Sequence, residues 1–469
     1  MSNKNTPREV IQEFVDEIAK VRVKVPNTIP IPFRDDKVKG KVRQAYKIPV
    51  EYLRFRKDNG RIASDVLTWE SSKGNLSETT TFGQATLKRF LELKDPDPTR
   101  ELMQSLLKEG QDKMAIITVD GFLINGNRRK MAFEKLLDQY PGDERYKYLE
   151  VVILPGPGED EPPTTLLEIE QLENRLQYHT RGEAVYYNFD KALSVKRKVE
   201  IGMSIKEQLL DDPDNYNISE ADLKRKIKKF EDEYVEPLKC IDRYLDLLKR
   251  PGHYNTISEG RTDSEGRWQA FLDYYNIVYK KLIDEKQLIK LGLQEDDAGK
   301  IENIAFKIIR KRDGLYTKAH LIMRDIPKLV ADVNAKKELY ELLKIDLFLP
   351  KDETVDDSGN QMEEKSKDLV WGNKNAEKII WRVKKAYEFL EQKKEQDTPL
   401  DLLNAALDKL NHSNMQVASV ELGRVEEAMK LTREIQIRAN ELEHSFYEVK
   451  RKTHNLKDKY NKPKAKAKK

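Results

Sequence analysis

The chain has 469 residues, more than one hydrophobic core usually serves, so we expect about two to four domains. Its 86 lysines and arginines against 82 aspartates and glutamates give a formal net charge of only +4, which excludes recognition of a polyanion by overall charge alone. One cysteine, Cys240, excludes a disulfide framework and fits a reducing compartment. The sequence has neither a long apolar run nor a signal-peptide core, so we expect a cytoplasmic protein with no membrane partner.

The first 44 residues predict a helix followed by an extended arm. Thr6-Pro7-Arg8-Glu9 combines a capping threonine, a proline at the first helical position and a glutamate three residues after the cap, so a helix should begin here. Residues 23–44 contain three prolines and a run of basic residues, which favour an extended arm. This arm is either a solvated linker or a segment that touches DNA.

Residues 114–134 predict a strand, a tight turn, a second strand and a helix. The apolar segments Met114–Val119 and Phe122–Ile124 flank Asp120-Gly121, which is a strong signal for a two-residue hairpin turn. The helix that follows has its apolar residues at helical spacing.

The entry to that helix is Gly126-Asn127-Arg128-Arg129. Glycine permits close approach of an anion to the backbone, and the N–H groups of a first helical turn have no partner within the helix. Guanidinium groups add forked donors that match phosphate oxygens. These residues therefore predict a phosphate site, although a plain turn with a solvated basic edge would show the same pattern.

A carboxylate and a carboxamide lie together further along the chain. Leu149–Leu154 predicts a strand, and a helix that begins at Leu166 places Glu173 and Asn174 near its end. Their oxygens suit Mg²⁺, which often shares its ligand shell with phosphates. The alternative is a solvated helix end.

Residues 196–255 predict three short helices, an arrangement that suits a helix-turn-helix. The middle helix, residues 219–230, carries five cations suited to phosphate contacts: Lys224, Arg225, Lys226, Lys228 and Lys229. Acidic and basic residues balance across residues 196–250, so a charged, solvated helix is the alternative.

The remainder of the chain is helical in pattern. We predict a helical domain at residues 256–350, a polar linker at 351–367, a C-terminal helical region at 368–460 and a basic, disordered tail at 461–469. In the last helix, apolar positions alternate steps of four and three residues, as in a coiled coil: Ile435, Ala439, Leu442, Phe446, Val449, Thr453, Leu456 and Tyr460. This seam either packs within the chain or forms a homodimer.

Taken in order, several of these motifs resemble the N-terminal domain of ParB-like partition proteins. Family motifs Asn-Pro-Arg, Gly-Glu-Arg-Arg and Glu-Asn-x-Gln-Arg correspond to Asn59-Gly60-Arg61, to Gly126–Arg129 and to residues 173–177 followed by 181–184. Asn127 replaces the family glutamate, and the arginine of the last motif is displaced. The resemblance covers residues 45–195. It implies an α+β fold, in which a small mixed-sheet ParB/sulfiredoxin-like domain precedes a mainly α-helical region with long C-terminal helices.

The resemblance also implies a function. The chain would be a DNA-binding homodimer of the phage, plasmid or defence type, regulated by binding of a ribonucleoside triphosphate. By resemblance, Arg61, Gly126, Asn127, Arg128 and Arg129 would bind CTP. Asn174 would ligand Mg²⁺, and Glu173 would position water if hydrolysis takes place.

Two alternatives remain open at the level of sequence. An enzyme on the same fold, a nuclease or a phosphotransferase, would need a carboxylate beside the phosphates, for which Asp120, Glu134 and Glu173 are the candidates. A helical interaction scaffold with a vestigial nucleotide site would fit the change at Asn127 and the displaced arginine.

Overall fold

The structure is a computed structural model that describes residues 6–34, 41–94, 96–179, 188–258, 266–356 and 358–460. The chain divides after Leu390 into two compact units, residues 1–390 (unit 1) and residues 391–469 (unit 2). The finer boundaries that the sequence indicates within unit 1 stay predictions. Residues 181–184 of the last motif and the tail at 461–469 lie outside the described residues.

Unit 1 begins with an α+β region built on a five-stranded mixed sheet, which confirms the predicted α+β class. The strands are β1 (Val23–Ile31), β2 (Lys41–Pro49), β3 (Ala115–Ile117), β4 (Leu123–Asn125) and β5 (Tyr148–Ile153). Their order in the sheet is β1-β2-β5-β3-β4. The β3–β5 pair is parallel and the other three pairs are antiparallel.

Helices cover this sheet and then form the rest of unit 1. The helices of the α+β region are α1 (Gln12–Val21), α2 (Ala63–Lys73), α3 (Thr81–Lys94), α4 (Pro96–Glu109), α5 (Asn127–Gln139) and α6 (Leu166–His179). Next come α7 (Asn188–Glu200), α8 (Ile205–Leu210), α9 (Glu220–Phe230), α10 (Glu236–Leu247), α11 (Trp268–Asp273), α12 (Lys280–Leu282) and α13 (Glu285–Lys290). The series ends with α14 (Glu295–Lys311), α15 (Ala319–Ala331), α16 (Val333–Tyr340), α17 (Glu364–Lys374), α18 (Ala376–Leu410) and α19 (Val425–Tyr460).

The predicted extended arm forms part of the sheet. Residues 23–31 are the edge strand β1, which pairs with β2 from Val23 opposite Lys47 to Ile31 opposite Lys41. The prolines are compatible with this position because an edge strand has one side on which no backbone N–H is needed. The linker interpretation is therefore wrong for these residues.

The first helix begins later than its sequence signal indicates. Instead of capping a helix, the Thr6–Glu9 segment is extended, and the Arg8 N–H donates to the Thr164 carbonyl oxygen at 3.0 Å. Pro7 forms an isolated bridge with Thr165, and α1 starts only at Gln12. A long-range backbone contact has replaced the local cap.

The predicted linker at 351–367 is also partly helical. Residues 351–354 form a 3₁₀ turn, and α17 starts at Glu364. Lys367 and the next residue, Asp368, both lie in α17, and Asp368 is buried. The division between the two units falls further along the chain, within α18.

Candidate functional site

The candidate site lies where β4 ends and α5 begins. Gly126 has a φ of 90°, and a Cβ atom at this position would lie 2.6 Å from the Cβ of Ala115 in β3. Packing against β3 therefore requires glycine here, independently of any anion. Because glycine has no side chain, the first-turn N–H groups of α5 receive no side-chain cap from Gly126.

The segment with Asn59 and Arg61 runs beside this junction. Arg54 pairs in parallel with Phe122: its N–H donates to the Gly121 carbonyl oxygen, and its own carbonyl accepts from the Leu123 N–H, both at 2.9 Å. Further along this segment, the Asn59 Oδ1 accepts from the Arg61 N–H at 3.0 Å and so opens a short 3₁₀ turn.

The helix α6 covers the other side of β4. Ile169 and Leu172 of α6 pack in one hydrophobic cluster with Ile124 of β4. This packing directs Glu173 toward Arg56, and the two side chains form a buried ion pair. The second carboxylate of this pocket, Glu170, lies 3.5 Å from Arg56 Nη2.

Charge and burial oppose each other in these groups. Burial acts to lower the pKa of Arg56, but the carboxylates of Glu173 and Glu170 outweigh it and raise that pKa. Burial raises the pKa of Glu170, against the opposing effect of the Arg197 guanidinium, whose Nη2 lies 3.0 Å from a Glu170 oxygen. Glu173 is thus a partner in a structural ion pair.

The side chain of Asn174 is also occupied by hydrogen bonds within the protein. The ammonium of Lys198 donates to the Asn174 Oδ1 at 3.0 Å, and the Asn174 amide donates to the Gln208 carbonyl oxygen at 3.0 Å. Burial lowers the pKa of Lys198, against the pull of Glu170 and Glu173. We call Arg56, Glu170, Glu173, Asn174 and Lys198 the junction network.

The junction network does not fit a protein-held Mg²⁺. The oxygen that the resemblance assigns to the metal accepts a hydrogen bond from the Lys198 ammonium, and the neighbouring carboxylate of Glu173 is paired with Arg56. Among the described residues, no group of three or more histidines, cysteines, aspartates or glutamates could hold a metal ion. A cation is already present at this position, and it is a lysine.

Three buried polar atoms around the junction lack hydrogen-bond partners within the described ranges: Arg56 Nε, Asn59 Nδ2 and Asn127 Oδ1. Asn127 lies in the first turn of α5, Asn59 opens the 3₁₀ turn, and Arg56 contacts Glu173 of α6. Leaving such a group unsatisfied costs about 1–3 kcal/mol, and clustered cases point to a ligand or a strained site. The three atoms include two donors and one acceptor.

The remaining predicted nucleotide ligands flank these atoms. Arg61 follows Asn59 in the 3₁₀ turn, while Arg128 and Arg129 follow Asn127 in α5. All three arginines are half-buried. Arg128 and Arg129 thus lie at the end of β4, and Arg61 lies in the segment that pairs with Phe122 through Arg54.

The carboxylates required by the enzyme alternatives are already neutralised. Asp120 is fully buried and accepts from Arg8 Nη1 at 2.7 Å and from Thr118 Oγ1 at 2.6 Å. Glu134 contacts Lys88 Nζ at 2.8 Å and forms a second ion pair with Lys130. Since Glu173 is paired as well, each of the three candidates has a cationic partner.

The predicted DNA-binding residues lie on a separate small helical cluster. Val195, Leu209, Leu223 and Phe230 form its core, and α9 presents its cations outward. Exposed side chains at this surface are Lys224, Arg225, Lys226, Lys228 and Lys229. Residues 211–219 join α8 to α9, a longer connection than the turn of a DNA-reading helix-turn-helix, which has about 3–4 residues.

Most of the α9 cations have partners on the same cluster. Lys228 lies 3.2 Å from Asp232, and Lys229 lies 3.6 Å from Glu233. Arg225 pairs with Asp222, and Lys226 donates to Asn215. These exposed pairs are weak, and phosphate groups could replace their carboxylates at small cost.

Sequence reasoning missed Arg56 and Lys198. A weak signal existed for Lys198, because it follows the buried Val195 by three residues and so falls on the apolar face of α7. Arg56 has no comparable signal, since its partner Glu173 is 117 residues away.

Comparison of this chain with protein-family models, curated proteins and solved structures finds no match. None of the helices in the described ranges is long and apolar enough to cross a membrane.

Proposed function

We propose that the α+β region of unit 1 is a ParB-like domain that binds a ribonucleoside triphosphate, CTP by resemblance, and that the nucleotide regulates DNA binding by the chain. One observation carries the proposal. Buried polar atoms of Arg56, Asn59 and Asn127 lack hydrogen-bond partners within the described ranges, and Asn127 lies in the first turn of α5, which has no side-chain cap from Gly126.

The chemistry of this junction suits a phosphate chain. The first-turn N–H groups of α5 and the guanidinium groups of Arg128 and Arg129 supply donors for phosphate oxygens. Arg61 approaches from the opposite segment. Asn59 and Asn127 offer one donor and one acceptor, a combination that can read a sugar or a base as well as a phosphate.

Mg²⁺ enters this proposal only as the counter-ion of the nucleotide. Since the Asn174 oxygen accepts a hydrogen bond from Lys198, the described residues of the junction network do not supply ligands for the metal. Glu173 is paired with Arg56, and this favours binding over hydrolysis as the regulatory event.

Regulation would follow from competition for the same groups. A triphosphate that attracts Arg56 weakens its pair with Glu173, which connects the junction to α6. A ligand shifts a conformational equilibrium by its differential affinity for the two states. The exposed cations of α9 are the proposed DNA contacts.

The test is calorimetric titration of the full chain with CTP, ATP, GTP and UTP in Mg²⁺, with and without DNA. The Arg128→Ala/Arg129→Ala variant should lose binding. Arg145→Ala is the matched control, because this arginine is 69% exposed and pairs only locally with Asp143. Absence of binding for all four nucleotides, with and without DNA, would overturn the proposal.

A second candidate is an interaction scaffold with a vestigial nucleotide site. It is favoured by the ion pair of Glu173 with Arg56 and by the hydrogen bond that Asn174 accepts from Lys198. These pairs hold α6 in place without any ligand. The same titration separates the two candidates, because the scaffold binds no nucleotide and keeps its partners when Arg128 and Arg129 are replaced.

A further inference from the structure

Unit 2 contains a large apolar surface that its own elements do not cover. Its described part consists of the end of α18, residues 391–410, a connection at 411–424 with two 3₁₀ turns, and α19. None of the side chains described in residues 391–452 is buried. Half of the exposed large apolar side chains of the described residues nevertheless lie here, which is far more than isolated surface residues require.

This surface has a shape as well as a composition. A groove of about 370 Å³ runs along α19, lined by Leu403 of α18 and by Ala439, Leu442, Phe446 and Tyr447 of α19. Three of these residues, Ala439, Leu442 and Phe446, belong to the heptad seam of α19. Ile435, Phe446 and Val449 of this seam are 48%, 45% and 61% exposed, so α18 leaves the seam open.

We propose that a second copy of this chain occupies the groove, with the α19 helices of the two copies packed against each other in antiparallel orientation about a two-fold axis. A two-fold contact requires a patch that is complementary to itself. The groove meets this requirement in charge, since Glu443 and Lys450, both in its lining, lie seven residues apart on one face. In an antiparallel pair, the carboxylate of one copy faces the ammonium of the other.

The spacing of the apolar residues on α19 also suits a two-fold contact. The alternation of four- and three-residue steps is the repeat that lets helices pack knobs into holes over several turns. With Glu443 of one copy opposite Lys450 of the other, the two-fold axis passes beside Phe446, so the two Phe446 side chains meet at the centre of the contact. The mixture of acidic and basic groups argues against a highly charged partner, such as a nucleic acid, at this surface.

The experiment is sedimentation equilibrium of the full chain at micromolar concentration, where we expect twice the 54.8 kDa of one chain. Phe446→Lys and Leu442→Lys should each weaken the dimer by about 30-fold or more, because both residues lie in the centre of the contact. Ile437→Lys is the matched control: it is 59% exposed on the same helix but outside the seam, and it should leave the dimer intact. Circular dichroism checks that each variant keeps its helical content.

The orientation has its own test. Glu443→Lys or Lys450→Glu alone brings like charges together and should weaken the dimer, whereas the double exchange should restore it. A monomeric full chain, or a dimer insensitive to Phe446→Lys and Leu442→Lys, would overturn the proposal. Failure of the double exchange to restore association would overturn the antiparallel arrangement. None of these outcomes depends on nucleotide binding.

Discussion

Two buried charge clusters of unit 1 are built on different plans. In the helical part, the carboxylate of Asp368 contacts Arg250 Nη2 at 2.9 Å, Arg310 Nε at 2.8 Å and Arg267 Nη2 at 3.2 Å; we call these four residues the arginine clasp. In the junction network, Arg56 contacts two carboxylates, those of Glu173 and Glu170. In the clasp, three guanidiniums share the carboxylate of Asp368, whereas in the junction network Arg56 lies beside two carboxylates.

The two clusters also differ in how their remaining donors are satisfied. Arg267 donates to the carbonyl oxygens of Ile309, Arg310 and Thr256, and Arg310 donates to that of Leu347. The clasp therefore joins segments of the helical core and leaves one buried atom, Arg250 Nε, without a partner in the described chain. Around the junction three such atoms remain, two in the segment of Arg56 and Asn59 and one at the start of α5. This difference separates a structural tie from a candidate ligand site.

Removal of the clasp carboxylate should have the largest effect. Asp368→Asn removes the carboxylate shared by Arg267 and Arg310 and leaves Arg250 with Glu364 at 3.4 Å, so we expect the free energy of unfolding to fall by about 3–5 kcal/mol. Urea unfolding, monitored by circular dichroism, measures this free energy. Asp313→Asn, at an exposed carboxylate next to Arg312, is the control and should change little. A loss for Asp368→Asn no greater than for this control would remove the distinction between the two clusters.

Removal of one network carboxylate should cost less. In Glu173→Gln, Glu170 still compensates Arg56, so we expect a loss of about 1–3 kcal/mol in the free energy of unfolding. The same urea experiment compares the two variants directly. If Glu173→Gln destabilised the chain more than Asp368→Asn, the number of carboxylates beside each guanidinium would not determine the cost of removing one.

An exposed cluster should matter least. The carboxylate of Glu161 lies 2.8 Å from Arg43 Nη2 and 2.6 Å from Lys41 Nζ, and hydrogen bonds from Arg43 and Lys41 lower its pKa to about 2. A carboxylate with a lowered pKa stabilises the fold above its unfolded pKa of 4.5, and this contribution is lost as pH falls toward 2. Because the group is solvent-screened, Glu161→Gln should cost only about 0.5 kcal/mol at pH 7. Thermal unfolding should show that the difference in stability between Glu161→Gln and the unmodified chain shrinks as pH falls from 4.5 toward 2. A difference that stays constant would contradict the lowered pKa of Glu161.

Mg²⁺ alone should have no effect on either cluster. Since Lys198 already contacts the Asn174 oxygen, millimolar Mg²⁺ without nucleotide should leave the thermal midpoint unchanged, whereas an ion held by the folded chain would raise it. Ca²⁺ serves as the control for a general ionic effect. A rise specific to Mg²⁺ would show that the metal displaces the lysine.

The local elements could be predicted from the sequence because their signals are local. The Asp120-Gly121 turn, the start of α5 after Gly126 and the apolar spacing of α6 each depend on neighbouring residues only. The same holds for α9 and α19. These signals also suffice for the α+β class.

The partners of the charged residues depend on the tertiary structure alone. Glu173 and Asn174 have the chemistry of metal ligands in the sequence, but Arg56, 117 residues away, and Lys198, 24 residues away, occupy their oxygens. The helix-capping signal at Thr6 is local and strong, but no helix begins there. Instead, the residues that follow Thr6 pair through their backbone with residues 164–165. A periodic pattern determines which face of a helix is buried. It does not determine which distant charge is buried against that face, because that depends on how the helices and strands pack.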